Sequence, residues 1–138
     1  MYDKVLATID HSEVSERVLA AARDLALLSK GEVWVLHLRE REVMPRLGLV
    51  PVESEDDAES AVKSAADALT QAGVRAHAVV RDTVFGYAAR EIVDDAREHD
   101  VDVIVMGSRG RGDLAGLVLG STAHKVIHLA DRPVLVVR

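Results

Sequence analysis

The sequence predicts an α/β fold: an open, five-stranded parallel sheet with helices on both faces. Three observations lead there. The chain has 138 residues, enough for one domain and too few for two full cores. Short runs of β-branched and aliphatic residues alternate with longer segments whose apolar residues recur at helical spacing. Five such strands separated by four helical segments imply βαβ units, and hence a parallel sheet covered on both sides.

Each element has its own signal. "KVLATI" (Lys4–Ile9) is an aliphatic strand that ends at Asp10. Ser12 is placed to cap a helix in which Val14, Val18, Ala22, Leu25 and Ala26 share a face, and Gly31 ends it. "EVWVLHL" (Glu32–Leu38) reads as the second strand, with Trp34 a core residue. Arg39 to Glu55, with Pro45, Gly48, Pro51 and mixed charges, reads as a long connection, the kind that serves as a lid or mobile segment. Asp56 to Ala72 is an alanine-rich helix stopped by Gly73. "VRAHAVV" (Val74–Val80) alternates as a half-buried strand near an edge. A helix from Thr83 to His99, a strand "VDVIVM" (Val101–Met106), a helix from Ser121 to Ala130 and a strand "PVLVV" (Pro133–Val137) complete the chain.

Composition excludes several functions. There is no cysteine, so disulfides, thiol catalysis and thiolate metal sites are out. A net charge of −6 argues against nucleic acid as a partner, and 3% aromatic residues cannot build a base-stacking platform. No apolar run approaches the ~20 residues of a membrane span, and "MYDKVLATID" lacks a signal peptide's apolar stretch. A cytoplasmic protein with no membrane partner is the expectation.

The most informative stretch is "VIVMGSRGRGDLAGLVLGST" (Val103–Thr122). It is not a P-loop, because no Gly-Lys pair occurs. Gly110 to Ala115 fits G-x-G-x-x-A, but that fingerprint belongs to the first strand-to-helix turn of a larger domain, and Asp131 precedes a strand instead of ending one. The positions themselves suggest an anion cradle. Glycines permit close backbone approach to a ligand. A helix starting at Ser121 and Thr122 offers free N–H groups, two hydroxyls and a positive dipole end. Arg109 and Arg111 add charge. The same residues also serve as ordinary caps and turns, so the physics alone divides evenly between the two readings.

The spacing Gly107-x2-Gly110-x9-Gly120-Ser121 resembles the nucleotide-binding signature of the universal stress protein family. The resemblance runs through "KVLATIDHSEVSERVLAAARDLA", "VDVIVMGSRG" and "GSTAHKVIHLADRPVLVV" and covers the whole chain, residues 1–138, as one domain. It implies strand order 3-2-1-4-5, as in the adenine nucleotide alpha hydrolase-like folds, an ATP-like ligand, and homodimers joined through the last strands. It also implies roles for individual residues. Asp10 lies close to the nucleotide and to a phosphate-bound Mg²⁺ or Mn²⁺. The Leu38 backbone meets the adenine. Met106 and Gly107 line the floor; Gly110, Arg111 and Gly112 wrap the ribose and phosphates; Gly120, Ser121 and Thr122 hold the phosphate chain. His11 stands where many relatives carry a small residue, so its imidazole crowds the pocket or adds a donor. An intact glycine signature marks the nucleotide binders of the family.

Other features have plainer readings. His124 and His128 lie one helical turn apart but lack the glutamate of H-E-x-x-H. His37 reads as a hydrogen-bonded core or pocket-edge residue, and Arg111-Gly112-Asp113 as a coincidental tripeptide. The acidic clusters read as solvated faces. The expected function is a nucleotide-dependent stress-response module acting on a downstream protein. The alternatives are a slow ATP hydrolase, with Asp10 as its one strong candidate group, and a dimeric interaction module with a vestigial site.

Overall fold

The computed structural model describes residues 1–110 and 119–138. In chain order the elements are β1 (Lys4–Ile9), α1 (Val14–Ser29), β2 (Glu32–Met44), β3 (Gly48–Pro51), α2 (Glu55–Gln71), β4 (Arg75–Val84), α3 (Ala88–Glu98), β5 (Val103–Gly107), α4 (Ser121–Leu129) and β6 (Val134–Val137). Five strands run parallel in the order β4-β2-β1-β5-β6, which is the expected 3-2-1-4-5 arrangement. The sixth, β3, pairs antiparallel with the end of β2.

Strand alternation divides the core in two. Val5, Ala7, Val33, Val35, Val103 and Val105 face α1 and α2, where Val18, Ala22, Val62 and Leu69 meet them. Leu6, Leu36, Ile104 and Met106 face α3 and α4, against Ile92, Val93, Ala123 and Val126. Each fully buried branched side chain contributes roughly 1.5–3 kcal/mol of transfer free energy. At the amino ends of the central strands, Asp102 Oδ2 accepts from the Asp3 and Lys4 N–H groups, both at 2.9 Å. The Asp102 N–H donates in turn to the Lys4 carbonyl at 2.8 Å, which locks β1 against β5. Trp34 is half-buried and not a full core residue: it packs at the margin of the α3/α4 side, stacked on His77 with centroids 4.6 Å apart.

Several expected boundaries are corrected. The segment Arg39–Glu55 is not an unpatterned loop: β2 continues to Met44 and turns into β3. Arg46 (φ 69°) and Gly48 (φ 75°) supply the left-handed backbone of that turn. The extension is held by charge instead of apolar alternation. Arg39 Nε and Nη2 donate to both Asp82 oxygens, at 2.7 and 2.9 Å, and Arg41 Nη2 joins at 2.9 Å. Opposite charges across paired strands stabilise a sheet much as apolar pairs do. For the same reason Thr83 and Val84 stay in β4, and α3 begins only at Ala88, after Gly86 takes φ 94°.

Ser12 does not cap α1. The helix is led by Glu13 without a side-chain cap, because the Ser12 hydroxyl donates to the Asp10 carboxylate. Gly31 does not terminate α1 through a positive φ either. Lys30 takes that conformation (φ 55°), and the Gly31 N–H closes on the Ala26 carbonyl at 2.9 Å. What requires glycine at 31 is space: a Cβ there would sit 2.5 Å from the Asp3 carbonyl oxygen and 2.8 Å from that of Tyr2. Gly31→Ala should therefore destabilise the protein by about 1–3 kcal/mol. In urea denaturation this appears as a lowered midpoint with unchanged slope; an unchanged midpoint would contradict the close approach.

Candidate functional site

β1 and β5 are neighbours, yet α1 leaves β1 toward one face of the sheet and α4 follows β5 on the other. Between diverging helices the carboxyl ends of two parallel strands open into a crevice, the usual ligand position in open α/β sheets. A cleft of about 660 Å³, its open mouth included, lies there.

Its walls follow from local sequence. Met106 and Gly107 end β5 at its base, and Gly107 packs so tightly on α1 that a Cβ would lie 2.6 Å from Val14 Cγ1. Leu36, Leu38 and Glu40 alternate along β2 and so point to the same side. Gly120 and Thr122 bring the start of α4 to the rim. The Gly120 N–H donates to the Ser108 carbonyl, and the Ser108 N–H to the Val137 carbonyl at 2.7 Å, so α4 begins at a point fixed by β5 and β6. Gly120 precedes α4 in extended conformation, without a side-chain cap hydrogen bond.

The turn after β1 is built around Asp10. Its Oδ1 accepts from the Ser12 N–H at 2.8 Å and from the Ser12 hydroxyl, with Ser15 Oγ at 3.1 Å. Ser15 Oγ also accepts from the Asp10 N–H at 2.9 Å. Beside the cleft, a polar depression shares Val14, Ser108, Arg109 and Gly110 with it and adds Arg17 and Arg138. Three guanidinium-bearing residues thus line this end.

Of the residues singled out from the sequence, Asp10, Leu38, Met106, Gly107, Arg109, Gly110, Gly120 and Thr122 line the cleft. Ser121, at the first turn of α4, is exposed and does not line it. Arg111 and Gly112 lie outside the described residues. His11 neither crowds the cleft nor adds a donor to it: its Nε2 lies 2.7 Å from Glu53 Oε2 instead. The other Glu53 oxygen meets His37 Nε2, while His37 Nδ1 lies 3.0 Å from the Ile9 carbonyl oxygen. Burial acts to raise the Glu53 carboxyl, but the hydrogen bonds to His11 and His37 outweigh it and hold it below the ordinary carboxylate value.

Among the cleft residues that the sequence reading missed are Leu36, Glu40, Ala88 and Ile92. Leu36 and Glu40 follow from Leu38 by strand period, a signal that was present. Ala88 and Ile92 carried only a core signal, since residues at the wall of a cleft and residues in a core share one apolar pattern.

Glu40 is the electrostatically odd member. Burial pushes its carboxyl above the usual value, and the nearby Glu42 and Asp10 carboxylates push it further, against His37. The folded state then holds this proton more tightly than the unfolded chain does. The Glu40 charge weakens the fold as pH rises through the carboxylate range, and the penalty is absent below that range. Glu40→Gln should raise the thermal midpoint at pH 7, with the gain vanishing near about pH 4. A gain that persists undiminished in acid would contradict this.

Comparison with known proteins agrees with this architecture. A sequence profile of the Universal stress protein family matches residues 1–138. Universal stress protein YxiE of Bacillus subtilis is 34% identical over 151 residues, spanning 100% of both chains. Universal stress protein MJ0577 of Methanocaldococcus jannaschii is 31% identical over 158 residues, spanning 100% of this chain and 96% of its own. A solved structure of MJ0577 superposes with a TM-score of 0.81 at 27% identity over 99% of this chain and 96% of that one. The universal stress protein of Archaeoglobus fulgidus in complex with dAMP matches with a TM-score of 0.75 at 26% identity, over 100% of this chain and 98% of that one. With the profile matching from the first residue to the last, the chain belongs to the universal stress protein family.

Proposed function

We propose that this protein binds an adenine nucleotide, ATP foremost, in the cleft between β1 and β5, and that occupancy regulates its contact with a downstream protein in the cytoplasm. The observation that carries the reading is that Gly107, Gly110 and Gly120 line one cleft together with the start of α4. Backbone N–H groups at a helix start, backed by the helix dipole, suit phosphate oxygens. Arg17, Arg109 and Arg138 add positive charge beside them. The apolar side formed by Leu36, Leu38 and Met106 suits a flat base. The relative from Archaeoglobus fulgidus in complex with dAMP supports an adenine nucleotide as the ligand class.

The donors around Asp10 fit a hard cation. The Asp10 carboxylate and the Thr122 hydroxyl offer oxygen ligands only, the kind Mg²⁺ and Mn²⁺ take when they are shared with phosphate. Asp10 would hold such an ion, whose chemistry here is neutralisation of phosphate charge. The role of this chain's own residues is to position: Ser12 and Ser15 fix the Asp10 turn, and the Gly120–Ser108 hydrogen bond fixes the phosphate end.

Protein purified without added nucleotide, then denatured, should release near-stoichiometric adenine nucleotide by chromatography and mass spectrometry. Gly120→Val should abolish ATP binding by calorimetry. Gly120 already has extended backbone (φ −73°, ψ 166°), which valine adopts readily, so the circular dichroism spectrum should not change. A folded variant that binds ATP normally would overturn the site assignment.

We also infer a homodimer through β6. This strand ends the sheet, and Leu135 on it is exposed, as are Ile127 and Leu129 of α4. An apolar sheet edge invites pairing, and a two-fold arrangement closes it. Light scattering should give twice the chain mass, and Leu135→Arg should shift the protein toward monomer; a monomeric parent protein would refute the dimer.

A further inference from the structure

On the side of β2 away from Leu36 and Leu38, three metal-ligating side chains converge from distant parts of the sequence. His11 comes from the turn after β1, His37 from β2, and Glu53 from the connection between β3 and α2. One ligand atom from each, the two imidazole nitrogens and a carboxylate oxygen, lies within 4.8 Å of the others. The imidazole rings sit edge to face with centroids 5.1 Å apart. His37 alternates with the cleft residues Leu36 and Leu38, so it points to the α1/α2 side together with Val33 and Val35.

His37 is 3% exposed, and its ring orientation is set by the backbone. Nδ1 faces the Ile9 carbonyl oxygen, which can only accept, so Nδ1 carries the proton. His37 Nε2 is thereby aimed at one oxygen of Glu53. His11 Nε2 converges on the other oxygen of the same carboxylate. Two imidazole nitrogens and a carboxylate oxygen thus converge within 4.8 Å of one another, a donor set that a cation can gather. An Nδ1–H held by a backbone carbonyl, with Nε2 aimed at the ligand position, is the arrangement that orients metal-binding histidines elsewhere.

We propose that His11, His37 and Glu53 form a site for a late first-row divalent cation, Zn²⁺ in particular. Two imidazoles and one carboxylate suit zinc, cobalt or nickel, whereas Mg²⁺ and Ca²⁺ take oxygen donors. Zinc holds such ligands at about 2.0–2.2 Å, so tetrahedral ligand atoms lie roughly 3.4 Å apart. Closing from the present spacing needs a shift of about an ångström, which the half-exposed His11 side chain and the connecting segment that carries Glu53 can supply. Three protein ligands leave one position for water or an outside ligand, on the solvent side where His11 lies. The ion would tie the β3–α2 connection to the carboxyl ends of β1 and β2. None of the three ligands lines the cleft, so their convergence does not depend on a nucleotide there.

The test is titration of Zn²⁺ into the full chain after chelator treatment, with nucleotide confirmed absent by mass spectrometry. Calorimetry should find one equivalent bound, and Co²⁺ in its place should show the visible absorption of a four-coordinate site. Outer-shell substitutions at metal sites cost about 10–100-fold in affinity, so losing a ligand through His11→Ala or Glu53→Gln should cost more than about 100-fold. Neither variant replaces the buried His37, and the glutamine of Glu53→Gln keeps a polar group beside its Nε2, so both should fold. His124→Ala combined with His128→Ala removes the histidine pair of α4 and should leave binding intact. The proposal is overturned if the parent protein binds no Zn²⁺, or if binding survives in both ligand variants. Loss of binding in the His124/His128 variant with retention in the other two would assign the ion to α4 and equally overturn it.

Discussion

The pairing of β1 with β5 is the constraint on which the rest of the molecule depends. Two parallel strands lie side by side while the helices that follow them leave on opposite faces, so neither helix covers the gap above their carboxyl ends. The cleft is a consequence of that divergence and needs no dedicated loop to excavate it. Asp102 secures the other end of the pair through two backbone N–H groups of the first strand. Because Val5, Leu6 and Ala7 are fully buried between both helix layers, β1 cannot slip by one residue without exchanging the two cores. That rigidity delivers Asp10 and Gly107 to a common height.

Much of this was legible in the sequence because apolar period and glycine position report directly on backbone path. Val18, Ala22 and Ala26 announced α1, and the run from Val103 to Met106 announced β5. The eight cleft residues read from the glycine signature and family resemblance gather as a group because strand ends, not distant loops, carry them. What stayed hidden was structure made by charge. Nothing in "LREREVM" separates a strand from a charged loop until Asp82, some forty residues on, is known to lie opposite Arg39 and Arg41. The destination of His11 was unreadable for the same reason, since its partner Glu53 follows the hairpin that those ion pairs create. Ser12 looked like a helix cap because serine serves caps and Asx-type turns alike; the choice was made by Asp10, two residues earlier.

The sheet separates two chemistries. Above the carboxyl ends of β1 and β5, the cleft offers backbone amides, hydroxyls and the Asp10 carboxylate, a setting for phosphate and hard cations. Toward α1 and α2, the same strand ends offer imidazole nitrogen. Strand alternation alone produces this: Leu36 and His37 are adjacent in sequence, yet they belong to opposite faces. Ile9 links the two sides, since it lines the cleft and its carbonyl also sets the ring of His37.

The hydrogen bond from the Gly120 N–H to the Ser108 carbonyl has an evolutionary consequence. It joins the two ends of the connection from β5 to α4 at one point, so the start of the helix is registered on the sheet and not on the number of residues that intervene. Loop closure entropy changes slowly with length. Substitutions between these two anchors therefore leave the start of the helix in place on the sheet, so side chains of this connection can change without refolding the protein.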